Sequence, residues 1–190
     1  MDTITLEKYR KIFGFPVIDY YLKLGFDLEQ EPFEVTGLEF IKSYENRRYE
    51  AQLYPQVIPL LTKLKAIGIS HSILSAQHQA LLDDLTRYYN IRDYFIQIVG
   101  LDNHYAHSKI ENGIEWMRKL DLDPQKVLMI GDTDHDFKVA ESIGVDCLLL
   151  SHGHHCPKRL KRTGTKVVRN LMDIFIFFNI ELNGVKQYQT

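Results

Sequence analysis

Val127-Leu-Met-Ile-Gly-Asp-Thr-Asp-His-Asp136 is the stretch on which the fold turns. Val127–Ile130 is a short, wholly apolar run closed by a glycine, the pattern of a strand buried on both faces. Asp132 then stands at the strand tip. A helix beginning near Thr133 brings Asp136 back toward it from the first turn. Carboxylates gathered at one tip repel each other unless a cation lies among them, and hard oxygen ligands suit Mg²⁺. Asp and Thr at such a place also serve as ordinary helix caps. Three carboxylates within five residues exceed what capping needs, which favours the metal reading.

Outward from this stretch, apolar strands alternate with helices. Val57–Ile67 has helical spacing and stops at Gly68, and Ile69–Leu74 reads as a strand. Gln77–Tyr89 is helical, Tyr94–Val99 strand-like, and Ile110–Leu120 helical. Phe137–Ile143 is helical with Gly144 just past its end, Cys147–Leu150 is another buried strand, and Leu171–Phe178 a last helix. Strands separated by helices of about ten residues imply βαβ units in a parallel sheet, with ligands beyond the carboxyl ends of the strands. Before Pro55 the character differs. Tyr9, Ile12, Phe13, then Val17, Tyr20, Tyr21, Leu24, then Leu38, Ile41, Tyr44 recur at helical spacing with no period-2 run. The expectation is an α/β chain with a Rossmann-like parallel-sheet core at 54–178, a small helical unit at 1–53 and a tail at 179–190.

Two further strand-end residues invite attention. Ser75 follows the Ile69–Leu74 run, and a small hydroxyl there, followed by free N–H groups of a helix start such as Ala76, is able to hold a phosphate oxygen. Lys109 precedes an amphipathic helix, where its ammonium would neutralise phosphate charge and bind the acidic cluster. Each has a bland alternative, an N-cap serine and a solvated lysine.

Composition narrows the function classes. A net charge of −2, with 45% hydrophobic and 25% charged residues, describes a globular protein rather than a general nucleic-acid or membrane-surface binder. The densest basic run, Lys158, Arg159, Lys161 and Arg162, reads as a solvated face. No stretch reaches the roughly 20 apolar residues that span a bilayer. Two cysteines make no disulfide framework, so a reducing cytoplasm is the expected setting. Cys147 reads as a small core residue. His152, His154, His155 and Cys156 suggest a Zn²⁺ cluster only weakly, because neighbours on one loop rarely converge on one ion. Trp116 and the tyrosines of the first half read as packing groups.

Ser75, Lys109 and Gly131–Asp136, in this order and spacing, resemble the second, third and fourth motifs of the haloacid dehalogenase (HAD) superfamily. Leu6–Gly14, Tyr20-Tyr21 with Leu24-Gly25-Phe26, and Tyr54-Pro55 are similar to the helical cap of its phosphoglycolate-phosphatase-like and β-phosphoglucomutase-like members. Ser151–His155 with Lys158-Arg159-Leu160 resembles the loop after their last core strand. The resemblance implies a Mg²⁺-dependent phosphatase of a small phosphorylated metabolite. Asp132 would bind Mg²⁺, with Asp136 as second ligand or orienting carboxylate. Ser75 and the Ala76 N–H would hold the phosphoryl group, and Lys109 would neutralise it.

One motif of that family is missing. Its Asp-x-Asp nucleophile and acid/base pair ends a strand ahead of the cap, yet only Met1, Asp2 and Thr3 precede Ile4. Phe26-Asp27-Leu28-Glu29 is a look-alike inside the helical half with no strand before it. In the family the missing strand lies between those bearing Ser75 and Asp132, so its loss leaves a gap of about 9–10 Å, two strand spacings. A truncated reading of a longer gene is the first explanation. The alternatives are a strand supplied by Val167-Val168, by Gly184–Tyr188, or by a second copy in a strand-exchanged homodimer. A non-catalytic binder of Mg²⁺ and phosphate is the rival reading of the whole chain.

Overall fold

A computed structural model describes residues 3–101 and 108–182, with side chains at 3–101 and 109–177. Among the described residues up to 53 there are three helices, α1 (Leu6–Ile12), α2 (Val17–Leu24) and α3 (Phe33–Arg47), and no strand. Thr5 starts α1 by accepting the Lys8 N–H on its hydroxyl. Gly25, at a left-handed φ of 90°, ends α2. Asp27 of the look-alike motif lies exposed in the turn that follows, where its carboxylate takes the Glu29 N–H.

From Val57 onward the alternation expected from the sequence is present. The order is α4 (Val57–Ala66), β1 (Ser72–His78), α5 (Gln79–Tyr88), β2 (Gln97–Leu101), α6 (Ser108–Leu120), β3 (Leu128–Gly131), α7 (Asp134–Ile143), β4 (Asp146–Leu150), α8 (Pro157–Leu160), β5 (Lys166–Val168) and α9 (Leu171–Leu182). Every strand pairing is parallel. Leu60 and Leu64 of α4, Leu148 of β4, Val168 of β5 and Ile174 of α9 form the main buried cluster. Each such burial contributes about 1.5–3 kcal/mol. On α7, Val139 and Ala140 are fully buried.

The strands form two sheets, β1–β2 and β3–β4–β5, rather than one. β1 and β3 face a common cleft of about 190 Å³ lined by Ser72 and Leu74 on one side and Leu128 to Ile130 on the other. Helix α6 spans the break. A side chain at its Gly113 would meet Leu74 of β1 and both Val139 and Ile143 of α7. Trp116 of α6 lines the cleft, and its indole N–H is buried without an acceptor. Two sheets with no strand between β1 and β3 among the described residues are consistent with a missing central strand.

Three expectations are corrected. Val167 and Val168 do not fill the gap, because β5 pairs with β4 at the far edge of its sheet. Gly184–Tyr188 lies outside the described residues. β1 runs past Ser75 to His78, so α5 starts at Gln79 and Ala76 is no helix-start residue. Cys147 is only partly buried, though enough to push its thiol up to about 12, with nearby Asp136 adding to the shift.

Candidate functional site

The turn between β3 and α7 is built by reciprocal capping. Thr133 is the N-cap, and its hydroxyl oxygen accepts the Asp136 N–H at 3.1 Å. Asp136 answers by accepting the Thr133 N–H at 2.9 Å, the Thr133 hydroxyl at 2.7 Å and the Asp132 N–H at 3.0 Å, all on Oδ2. A Cβ on Gly131 would collide with the Asp136 side chain, so glycine at the strand end lets the carboxylate fold back under the turn. The capping reading of this stretch is therefore correct for Asp136, and the residue has a second task besides.

That task is an ion pair. Lys109, in the first turn of α6, donates from Nζ to Asp136 Oδ1 at 2.5 Å, and the two side chains are 9% and 8% exposed. Burial raises the Asp136 pKa, but the Lys109 ammonium and the donors from Thr133 and Asp132 outweigh it and hold the carboxyl below its ordinary range. The solvated-surface reading of Lys109 does not survive this geometry.

Asp132 is held from the other side. Its Oδ2 accepts the His154 N–H at 2.6 Å and its backbone carbonyl the His155 N–H at 3.3 Å. Asp134 turns away from the group. Arg159 donates to it from Nε at 2.8 Å, and its amide donates to the fully buried His155 ring at 3.0 Å. Arg159 also donates to the Phe13 carbonyl of the helical half, so it is a structural tie and not part of a solvated basic face. Of the three carboxylates that suggested a metal, Asp134 is neutralised by Arg159 and Asp136 by Lys109.

Ser75 stands apart from these contacts. Regular pairing of β1 with β2 stops at Leu74↔Val99 and resumes at His78↔Leu101, so Ser75 to Gln77 form a bulge at the carboxyl end of β1. The Ser75 hydroxyl accepts the Gln77 N–H at 3.1 Å. The structure thus brings Lys109, Asp132, Thr133 and Asp136 together and keeps Ser75 and Ala76 on the strand across the cleft.

The chemistry of the donor set bears on a metal. Among the described residues, no three His, Cys, Asp or Glu side chains are gathered as one ligand group. The loop histidines point to separate partners, His154 Nδ1 to the Tyr9 hydroxyl at 2.6 Å, His155 Nδ1 to Asp134, and the His152 ring to Tyr54. Mg²⁺ differs from Zn²⁺ in needing only one or two carboxylates, with substrate phosphate and water completing its shell. One carboxylate with an oxygen that no described residue engages, Asp132, beside a second already engaged with lysine, fits that habit.

Sequence reading missed the backbone donors of the Ser151–Cys156 loop. Amide groups carry no signature in sequence, and only the nearness of Gly153 to Asp132 gives them away.

Comparison with known proteins agrees with this architecture. A profile of the haloacid dehalogenase-like hydrolase family matches residues 1–150. The chain is 26% identical over 106 residues to phosphoglycolate phosphatase of Vibrio vulnificus (strain CMCP6), covering 55% of this chain and 46% of that protein. It is 23% identical over 147 residues to phosphoglycolate phosphatase 1 of Pseudomonas aeruginosa, covering 76% and 54%. The chain thus spans about half the length of the curated relatives it matches. Among solved structures, a predicted phosphatase from Clostridium acetobutylicum superposes with a TM-score of 0.74 at 19% identity, covering 90% of this chain and 79% of that one. Protein tyrosine kinase A of Mycobacterium tuberculosis superposes at 0.76 and 19% identity, covering 97% and 84%. At such identities the superpositions speak for the fold. With the profile covering most of its length, the chain belongs to the haloacid dehalogenase-like hydrolase family.

Proposed function

We propose that this chain carries the phosphate- and Mg²⁺-binding part of a phosphoric monoester hydrolase for a small phosphorylated metabolite such as phosphoglycolate. The observation that carries the reading is the buried Lys109–Asp136 pair set beside Asp132 at one strand end. An ammonium and a metal carboxylate side by side are what a phosphoryl group requires for charge neutralisation. Phosphatase names among the relatives support the same reaction class. In this reading Asp132 is the Mg²⁺ ligand and Asp136 the orienting carboxylate, since three donors fill its Oδ2 and lysine takes Oδ1. Mg²⁺ would polarise the phosphoryl oxygens. Lys109 shares their charge, and Ser75 with the Ala76 N–H binds them from the β1 side of the cleft. Residues 1–53 act as the cap that covers the substrate, 54–178 as the core and 179–190 as a tail. The proposal includes a cytoplasmic setting, supported by two free cysteines. No helix among the described residues is long and apolar enough to cross a membrane.

A second reading has its own support. Between β1 and β3 there is a cleft and no strand among the described residues, so none of these presents an aspartate from a strand at that place. As it stands, the chain binds Mg²⁺ and phosphate without turning substrate over. A second copy that inserts a strand there would form an exchanged homodimer.

Thermal denaturation tests the shared claim. Mg²⁺ at about 100 times its dissociation constant should stabilise the wild type by about 2.7 kcal/mol. Asp132→Asn should show no such gain. An equal rise in both proteins would place the ion elsewhere.

A further inference from the structure

The segment from Ser151 to Cys156 supplies no group to the site as proposed, yet it encloses Asp132. The His154 N–H donates to Oδ2 of the carboxylate at 2.6 Å, and the His155 N–H donates to the carbonyl of the same residue. Gly153 lies so close that any Cβ would overlap the Asp132 carboxylate. The loop is itself anchored on both flanks. On one, the fully buried His155 ring accepts the Asp134 N–H, and Arg159 joins Asp134 to Phe13. On the other, α1 reaches over it. The Tyr9 hydroxyl meets His154 Nδ1 at 2.6 Å, Arg10 donates to the His152 carbonyl, and the Arg10 carbonyl accepts the Cys156 N–H.

We propose that Gly153 and His154 are positioning residues for Asp132. They clamp one carboxylate oxygen by a main-chain N–H, so that the other is presented in one fixed direction to a Mg²⁺ ion. The inference rests on the Mg²⁺ role proposed above for Asp132. Its physical basis is that a carboxylate on a strand tip has two free torsions. A charge-assisted bond at 2.6 Å removes that freedom before the ion arrives, which lowers the entropic cost of binding it. A methyl group at position 153 forces one of two changes. Either the loop lifts and the His154 bond breaks, or the carboxylate rotates off its direction.

Two readouts on the whole chain test this. In calorimetric titration with MgCl₂, Gly153→Ala should bind Mg²⁺ at least about tenfold more weakly than wild type, the usual effect of losing a group that orients a metal ligand. Lys158→Ala, an exposed change just beyond the loop, should bind as wild type. In ¹H–¹⁵N spectra without metal, the His154 amide proton should lie downfield, and Asp132→Asn should move it upfield. Wild-type affinity in Gly153→Ala, or a His154 amide indifferent to Asp132→Asn, would overturn the proposal. If the wild type binds no Mg²⁺, the metal role of Asp132 falls. The amide resonance then decides the positioning claim alone, including when Gly153→Ala does not fold.

Discussion

Lys109→Met should lower the stability of this chain by about 3 kcal/mol, read as a shift in the urea midpoint at unchanged slope. The side chains of Lys109 and Asp136 are 9% and 8% exposed, so removing the ammonium leaves a carboxylate in a low-dielectric site with no counter-charge. Breaking a buried pair in this way costs about 3–5 kcal/mol in general. The low end applies here because three neutral donors still hold Asp136 Oδ2. Combining Lys109→Met with Asp136→Asn should recover part of the loss, since no buried charge then lacks a partner. The pH dependence follows from the same pair. The folded pKa of Asp136 lies below its unfolded value, so its contribution is complete above about pH 4–5 and is lost as pH falls through the folded value. Wild-type stability should therefore fall with acidification below about pH 4, and less steeply in Asp136→Asn. A neutral Lys109→Met substitution would mean that the pair is exposed in solution.

The second large effect concerns turnover. Charge-stabilising groups lower the energy of a transferring phosphoryl group but supply no atom to attack it, and a loosely held water must serve. Enzymes stripped of a nucleophile keep roughly 10³–10⁴ over the uncatalysed rate, whereas intact ones reach about 10⁶ or far more. The 190-residue chain should accordingly hydrolyse p-nitrophenyl phosphate or phosphoglycolate negligibly with Mg²⁺ present. It should also form no beryllofluoride adduct of an aspartate. An apolar strand ending in Asp-x-Asp, joined ahead of Ile4, would enter the cleft between β1 and β3. Its addition should raise the rate at least about a hundredfold and restore the adduct. Robust turnover by the unextended chain, abolished by Asp27→Asn, would show that the exposed turn after α2 holds the nucleophile.

Much of this was readable in the residues. Val127–Ile130 read as a buried strand; it is a strand from Leu128 on, but it borders the cleft and leaves Ile130 39% exposed, while Gly131 with Thr133 marked its end and the helix start within a residue. Lys109 is the instructive case. Taken alone its sequence setting favours a solvated lysine, and the return of Asp136 under the turn, a contact across 27 residues, removes that reading. Other features lay beyond pattern reading. β5 has three residues and lacks the length that makes periodicity visible. The extension of β1 past Ser75 depends on its pairing with β2, which local propensity does not encode. Arg159 looked like one of four surface cations until Asp134 and Phe13 came within its reach. The His154 N–H on Asp132 belongs to the backbone, which every residue shares.

The central claim is that Asp132, Lys109 and Ser75 converge on one phosphate with its Mg²⁺, and a structure of the chain with MgCl₂ and inorganic phosphate tests it most directly. The account predicts an ion about 2.0–2.1 Å from Asp132, the Mg²⁺–oxygen distance. The bound phosphate should lie within hydrogen-bond reach of both Lys109 Nζ and the Ser75 hydroxyl. An ion held away from Asp132, or a phosphate that touches Lys109 while Ser75 keeps to the Gln77 N–H, would contradict it.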